Sequence, residues 1–401
     1  MRIDNQWKRW TLAAALSLGL ALGGVAARAD GVDPWVYAHA GLDHFYNLEY
    51  DEAITDLQNA LEGDPDNVLF HNYLTNVFLF QELYRTRRLE GNLYAASNAF
   101  LKAQKPKPDP ERMALIRQRV AKVKQLCQQR LQENRYDTEA LYAQGVAYSI
   151  EANYKFTLEK KYLDALRAAS KANQLHRQVL KLDPNYHDAK LVPGLYQYVV
   201  GSLPGGIKFL VFLIGHRGNK SRGIALLQDA IANGQQVSSG AAILLGVVYN
   251  REKKHAYARQ LYETLSQYYP RNLLLRLEVG RTYEREGNRA AALEVYTQVV
   301  EQVEAGVPGY SKVPRERLYY QIGIMHLQVG ELDQALSAFF HVSEREEGDG
   351  LVKAFSALRR GEIYLAQKQP ERARAEFERV AAMPYDEPRR LAQQRLRALS
   401  R

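Results

Sequence analysis

The sequence has one cysteine among its 401 residues, Cys127, so no disulfide can form within the chain. Short signatures of catalytic and metal sites are also missing. There is no His-Glu-x-x-His, no Gly-x-x-x-x-Gly-Lys, no Gly-x-Ser-x-Gly and no EF-hand loop. Apolar and polar residues nowhere alternate long enough to predict a sheet. These absences favour an all-α protein that is not an enzyme, and they predict no cofactor, no metal site and no small-molecule substrate.

The composition fits a folded protein, with 46% hydrophobic and 25% charged residues. The formal net charge of +9 is compatible with a solvated surface, or with attraction to anionic lipids or acidic proteins. Because the positive charges are spread along the sequence, they do not predict a nucleic-acid partner.

The first 29 residues have the layout of a cleavable export signal. A basic start with Lys8 and Arg9 precedes an apolar run from Leu12 to Ala27, and Ala27-Arg28-Ala29 offers small residues around a spacer. We therefore expect cleavage after Ala29 and a periplasmic or secreted protein. The alternative is an uncleaved membrane anchor, although the apolar run of about 16 residues is slightly short for a membrane span.

Four residue types recur in the middle of the chain at a spacing of 34 positions. The pairs are Gly246 and Gly280, Tyr249 and Tyr283, Ala258 and Ala292, and Tyr262 and Tyr296. A fixed period of this length is typical of stacked helix pairs, because each pair buries its apolar face only against its neighbours. Small glycine and alanine residues would let two helices approach closely, and the tyrosines would fill the space beside them.

This pattern resembles the tetratricopeptide repeat, and it recurs around Gly41, Gly323 and Gly361. The resemblance implies an all-α fold, a right-handed α-solenoid of tetratricopeptide helix-turn-helix repeats. Five units are clear and two are stretched by insertions, which predicts about seven helix pairs. We expect an N-terminal region with long helices over residues 30–236 and a regular array over residues 237–401.

Residues 70–135 fit the repeat less well and predict long helices with a break before Pro110. Asp109 is expected to cap the helix that Pro110 begins. Along that helix, apolar residues at steps of three and four include Val123 and Cys127, so we expect Cys127 to be a buried thiol.

The least regular segment is the insertion 199–214, whose apolar residues include Phe209 and Phe212. One interpretation is a helix buried inside the solenoid; the other is an exposed patch for a lipid, a membrane surface or a partner helix. Residues 185–300 also resemble, with fewer identities, the eukaryotic tetratricopeptide family connected with lipid-droplet and inclusion-body clearance. That family implies an intracellular adaptor, whereas the export signal favours another location, so only the architecture is carried over.

The expected function is that of an exported, non-enzymatic scaffold that binds a protein or peptide partner in the cell envelope. The concave surface of a solenoid is lined by the first helix of each repeat and suits an extended peptide. Projection of the family pattern places seven residues there: Asn250, Arg281, Glu284, Arg317, Tyr320, Phe355 and Glu362. The alternative is a peripheral membrane or lipid-associated protein that uses the insertion.

Overall fold

The computed structural model describes residues 32–89, 105–206, 217–307, 309–310, 315–343 and 349–400, and within these ranges it contains seventeen α-helices and no strand. The helices are α1 Pro34–Tyr46, α2 Tyr50–Gly63, α3 Val68–Arg85, α4 Pro110–Glu133, α5 Thr138–Tyr154, α6 Tyr162–Leu182, α7 Leu191–Gly201, α8 Lys220–Asn233, α9 Ser238–Arg251, α10 His255–Tyr268, α11 Leu273–Glu286, α12 Arg289–Glu304, α13 Arg315–Val329, α14 Leu332–Ser343, α15 Gly350–Ala366, α16 Pro370–Ala381 and α17 Asp386–Leu399. A π-helical turn, Lys155–Glu159, extends α5, and a 3-10 turn, His187–Lys190, precedes α7.

Every helix contacts the next one in the chain. We name the consecutive pairs units 1 to 8, from α1/α2 to α15/α16, and α17 covers the end of unit 8. The predicted helical solenoid is confirmed, but the described residues hold eight pairs rather than about seven. The core runs between the pairs as a series of apolar clusters, because each unit buries its apolar side chains mainly against its neighbours.

A glycine marks the closest approach of the two helices in the regular units. In each case a Cβ atom added to the glycine would lie too close to the aromatic ring of the residue sixteen positions later. The distance is 2.6 Å for Gly246, 2.7 Å for Gly280 and 2.5 Å for Gly361. Those rings belong to Tyr262, Tyr296 and Phe377, and the same contact joins Gly41 to Leu57 and Gly323 to Phe339. Any larger residue would push the helices apart, which explains the recurring glycine in the sequence.

Unit 2 lacks this glycine, and buried polar side chains tie α3 to α5 of unit 3 and to the start of α4. Asn72 Nδ2 donates to the Ala143 carbonyl at 2.9 Å, and the buried Glu82 carboxylate accepts the Asp109 amide at 2.9 Å. Asp109 also accepts the Arg112 amide at 3.0 Å and so caps α4, as predicted. Because the unit has no small-to-large contact, the repeat pattern could not reveal it.

Cys127 lies in the buried face of α4, as the apolar spacing predicts. Burial raises the pKa of its thiol to about 12. The side chain is therefore a packing element at neutral pH.

Unit 1 returns to meet units that lie far along the chain. The turn between α1 and α2 reaches the loop before α11, where Asn272 Nδ2 donates to the Tyr46 carbonyl at 2.6 Å. Leu48, at a backbone φ of 65°, packs against the core around α11 to α13. Farther along, Arg87 of unit 2 donates to Asp349 at the start of unit 8, at 3.2 Å. Successive turns of the superhelix thus touch edge to edge; its right-handed sense stays a prediction.

Within the described ranges, no helix combines the length and the apolar composition that a membrane crossing requires.

Candidate interaction site

Tyrosines from separate units meet on the inner side of the solenoid. The rings of Tyr46 and Tyr269 stack with centroids 5.0 Å apart, and those of Tyr142 and Tyr186 approach to 4.9 Å. Tyr73 lies close enough to Tyr46 and Tyr186 to interact with them electrostatically. Burial, followed by these neighbours, raises the pKa of Tyr46, Tyr73 and Tyr142, so the phenols stay neutral. The first helices of units 1, 2 and 3 therefore converge at this cluster.

Asp188 fixes the loop that follows this tyrosine cluster. Its buried Oδ1 accepts backbone amides of Gln235 at 2.8 Å, Gln236 at 3.2 Å and Val237 at 3.4 Å. The carboxylate thereby sets the start of α9. Side chains of the chain itself therefore occupy the place where α1, α3 and α5 meet, whereas most of the predicted site residues lie on units 6 to 8.

Two of the predicted site residues make local contacts on their own units. The buried Asn250 Oδ1 lies 3.1 Å from His255 Nδ1 across the turn between α9 and α10. Arg281 Nη1 donates to Glu278 Oε1 at 2.5 Å on α11. Both side chains orient their neighbours within a helix pair.

Three other predicted residues join one unit to the next. Glu284 accepts the Tyr296 hydroxyl at 2.5 Å and Gln321 Nε2 at 2.6 Å, which links α11 to α12 and α13. Arg317 donates to Asp349 Oδ2 at 2.7 Å. Glu362 accepts Arg395 Nη2 at 2.8 Å, which ties α15 to α17. These charges therefore support the stack as well as lining it.

Tyr320 and Glu362 meet around Arg359 on α15. Arg359 Nη1 donates to Glu362 Oε2 at 2.6 Å, and the Tyr320 hydroxyl is a further hydrogen-bonding neighbour of the guanidinium. Burial would lower the pKa of Arg359, but these partners raise it. Tyr320 also packs at 5.7 Å against the Phe339 ring, and the half-buried Phe355 lies in the core beside α16 and α17.

The sequence did not single out Arg285 or Arg359. Within the described residues, Arg359 Nε is buried and has no hydrogen-bond acceptor, and the buried Arg285 Nη1 has none within hydrogen-bond distance, its ion pair with Glu278 Oε2 being 3.7 Å long. A buried donor without an acceptor costs about 1–3 kcal/mol, so each is a place where a bound acceptor would be favourable. No spacing in the sequence distinguishes these two arginines from the others, because what sets them apart is the lack of a hydrogen-bond acceptor in the folded structure.

The remaining predicted contacts, Phe209 and Phe212, lie outside the described residues. In the part of the chain that is described, no three His, Cys, Asp or Glu side chains are grouped closely enough to hold a metal ion.

The helix pairs with their recurring glycine contact are tetratricopeptide-type helix-turn-helix units, and the chain has the fold of a tetratricopeptide array. No family model and no curated protein matches the sequence. Solved structures with similar folds include the APC/C hetero-tetramer Cut9-Hcn1, with 12% identity over 90% of this chain and 55% of the other and a TM-score of 0.44.

Two further similar structures are a tetratricopeptide repeat protein from Parabacteroides merdae ATCC 43184 and yeast Tom70. The first has 14% identity over 92% of this chain and 99% of the other, with a TM-score of 0.30. The second has 12% identity over 92% of this chain and 89% of the other, with a TM-score of 0.36. This chain thus spans about half the length of the Cut9-Hcn1 chain that it matches and most of the other two. At such identities the likeness concerns the fold alone, and function is argued from this chain's own residues.

Proposed function

We propose that the protein is a non-enzymatic scaffold that binds an extended peptide segment of a partner protein on the inner face of units 6 to 8. The observation that carries this proposal is the buried donor Arg359 Nε, which has no hydrogen-bond acceptor, together with Arg285 Nη1, which has only a 3.7 Å ion pair with Glu278 among the described residues. Tyr320 lies beside Arg359. A peptide supplies what this face lacks, since its carbonyl and carboxylate oxygens are acceptors and its side chains can cover an aromatic ring.

The charge pattern favours a peptide with acidic side chains. Arg281, Arg285, Arg317 and Arg359 all project from first helices, whereas the acids beside them are engaged in ion pairs: Glu278 with Arg281, Asp349 with Arg317, and Glu362 with Arg359 and Arg395. An incoming carboxylate would gain a charge-assisted hydrogen bond at Arg359 Nε, and at Arg285 Nη1 it would form a shorter contact than the present 3.7 Å ion pair with Glu278.

We further propose that the partner is met in the cell envelope, after removal of residues 1–29. The basic and apolar layout of those residues supports export. Mass spectrometry of the protein recovered from the periplasm and medium of an expressing Gram-negative host tests this proposal. A mature chain that begins at Asp30 is expected, and a full-length chain confined to the cytoplasm would contradict it.

The binding proposal is tested with peptides selected from a random library displayed on phage, followed by fluorescence anisotropy. Selected peptides should be rich in Asp or Glu, and Arg359→Gln and Arg285→Gln should each weaken their binding about tenfold, the loss of one charge-assisted hydrogen bond. Arg374→Gln, on the outer helix α16, is the matched control and should bind normally. Equal affinities for all three variants, with their folds intact by circular dichroism, would contradict an inner-face site.

A further inference from the structure

We propose that the tip of the α5–α6 hairpin and the outer face of α6 dock onto an anionic membrane surface. This surface lies on the second helix of unit 3, away from the inner face of units 6 to 8, and it takes a different ligand. Three large apolar side chains are exposed at the tip: Phe156 at 38%, Tyr162 at 37% and Leu163 at 71%. Soluble proteins rarely group exposed apolar side chains in this way without an interaction to serve.

The backbone holds these side chains outward. The α5 helix widens into a π-helical turn, Lys155–Glu159, which buries Thr157 and Leu158 and leaves Phe156 outside. Lys160 follows at φ 56°, in the left-handed region that lysine rarely adopts. A left-handed residue also ends the first helix of other units, at Leu48, Arg87, Lys253 and Lys368, whereas the π-helical turn occurs only here among the described residues. Such π turns are frequent at functional sites.

The tip is fixed by its neighbours before any ligand binds. Glu159 accepts Arg117 of α4 at 2.6 Å and pairs with Lys161 at 3.0 Å. Phe156 and Tyr162 pack edge to face with ring centroids 5.5 Å apart. The exposed rings are therefore presented in one arrangement, which lowers the entropic cost of binding.

A basic stripe follows the tip along α6. The exposed positions recur at steps of three and four, which places them on one side of the helix. They are Leu163, Arg167, Lys171, Gln174, Gln178 and Lys181, with Arg177 beside them. Asp164, the only acid of α6, pairs with Arg167 at 2.9 Å. Lys171, Arg177 and Lys181 have no ion-pair partner within the described part of the chain.

The charges are less evenly distributed over the outer helices than along the sequence. The outer helix α6 carries four Lys or Arg residues and one acidic residue. Its neighbour α4 carries six Lys or Arg residues and two acidic residues. By contrast, α2 carries four acids and no basic residue, and α12 carries three acids and one Arg. Most cations of α4 are paired with acids, among them Arg117 with Glu159, Lys124 with Glu151 and Arg130 with Asp137. The positive charge that can attract an anionic surface therefore lies mainly on α6.

The combination favours a bilayer over an acidic protein or a nucleic acid. A helix of 21 residues is about 31 Å long, so α6 can lie flat with its cations at the headgroups and its apolar tip below them. Leu182, exposed at 40%, offers a second apolar contact at the other end. A stable protein interface would need a larger continuous apolar area, and a nucleic acid would have no use for the aliphatic tip. Each cation near an anionic surface strengthens binding about fivefold.

The test is co-sedimentation of the intact protein with vesicles of phosphatidylcholine alone or with about a third phosphatidylglycerol. Binding is expected only to the anionic vesicles and should weaken as salt is raised. The tip variant Phe156→Ser/Leu163→Ser and the stripe variant Lys171→Glu/Lys181→Glu should each bind at least tenfold more weakly. Circular dichroism and thermal melting establish that the variants fold.

Two matched controls use similar exposed residues on other outer helices. Tyr257→Ser removes an exposed aromatic from α10, and Arg374→Glu/Arg379→Glu reverses two exposed or half-exposed cations on α16. Both should bind like the parent protein. A fluorophore sensitive to polarity, attached to Leu163→Cys, should shift to the blue on binding, whereas one on Tyr257→Cys should not. Cys127 is buried and will not take the label.

The proposal is overturned by any of three outcomes. The first is that the protein does not bind the anionic vesicles. The second is that the control variants lose as much vesicle binding as the test variants. The third is that vesicle binding is lost only in Phe209→Ser/Phe212→Ser, which would place the membrane contact in the insertion 199–214. Because none of these variants lies on α11, α13 or α15, peptide binding at the inner face should be unaffected by all of them, and each proposal can fail without the other.

Discussion

Arg271 and Glu49, 222 residues apart in the sequence, form a two-point ion pair. Nε lies 2.6 Å from Oε1 and Nη2 lies 2.9 Å from Oε2. His44 Nδ1 adds a contact to Oε2 at 2.7 Å. Burial alone would raise the pKa of Glu49, but the hydrogen bonds with Arg271 and His44 lower it. The carboxylate therefore stays charged at neutral pH and joins unit 1 to the start of unit 6.

Replacement of Arg271 by Gln should open this contact between turns. A loss of about 1 kcal/mol in the free energy of unfolding is expected, since the pair is only half-buried, together with a larger radius of gyration by small-angle scattering. Arg259→Gln is the control, because Arg259 pairs with Glu263 and Glu286 in adjacent helix pairs. It should lower stability without expanding the molecule. An unchanged radius for Arg271→Gln would mean that the turns are held together without this pair.

The contact between Gly361 and Phe377 can be tested by changing the size of both partners. Gly361→Ala should destabilise the protein by about 1–2 kcal/mol, because the new methyl group meets the Phe377 ring. Phe377→Leu should cost about 1 kcal/mol through lost packing. In the double variant the smaller side chain makes room, so the combined loss should be less than additive. Urea unfolding of the four proteins measures the coupling, and strict additivity would mean that the helices separate freely there.

Stability should fall with acidification because of His176. The ring is buried against Gly145 and Tyr142, and burial lowers its pKa to about 4. In the unfolded chain its pKa is about 6.5, so the unfolded state takes up the proton first. The stabilisation is complete above pH 6.5 and is lost as the pH falls toward 4, by about 3 kcal/mol in all. Urea titrations between pH 7.5 and 5 should show this slope in the parent protein and a smaller one in His176→Gln, since burial also lowers the pKa of His71 and His255.

Cys127 should resist thiol reagents while the protein is folded. Its thiol is buried and has a pKa of about 12, so little thiolate exists at pH 8. Modification by a disulfide reagent should follow the rate of unfolding and become rapid in denaturant. Leu163→Cys provides an exposed reference thiol that should react at once. Immediate reaction of Cys127 in the native protein would place that residue at a mobile surface.

The helix pairs could be predicted from the sequence because each is a local arrangement. Gly280 and Tyr296 are sixteen positions apart, and their contact leaves a mark in every regular unit. The long helices of unit 2 were predicted, but their contacts could not be, since Glu82 accepts the Asp109 amide and Asn72 donates to the Ala143 carbonyl of unit 3. The pairing of Arg271 with Glu49 could not be predicted either, because it depends on how far the superhelix turns over several units.

The location of a binding site on the first helices stays a prediction, and its chemistry could not be predicted from the sequence. Glu284 and Arg317 were expected to face a partner, and they also hold one unit to the next. The donors of Arg285 and Arg359 emerge only from the atoms around them. Hydrogen-bond satisfaction is a property of three-dimensional surroundings, and a one-dimensional pattern of residue types does not contain it.

The contact between residues near Tyr46 and the loop before α11 also restricts how this gene can change. Arrays of helix pairs commonly tolerate the gain or loss of whole modules, because each module touches only those beside it. Here, duplication of one pair anywhere between α3 and α10 would rotate Asn272 away from the Tyr46 carbonyl that it now reaches. The number of modules in that stretch is consequently set by geometry, whereas the segment after α15 keeps the freedom to lengthen.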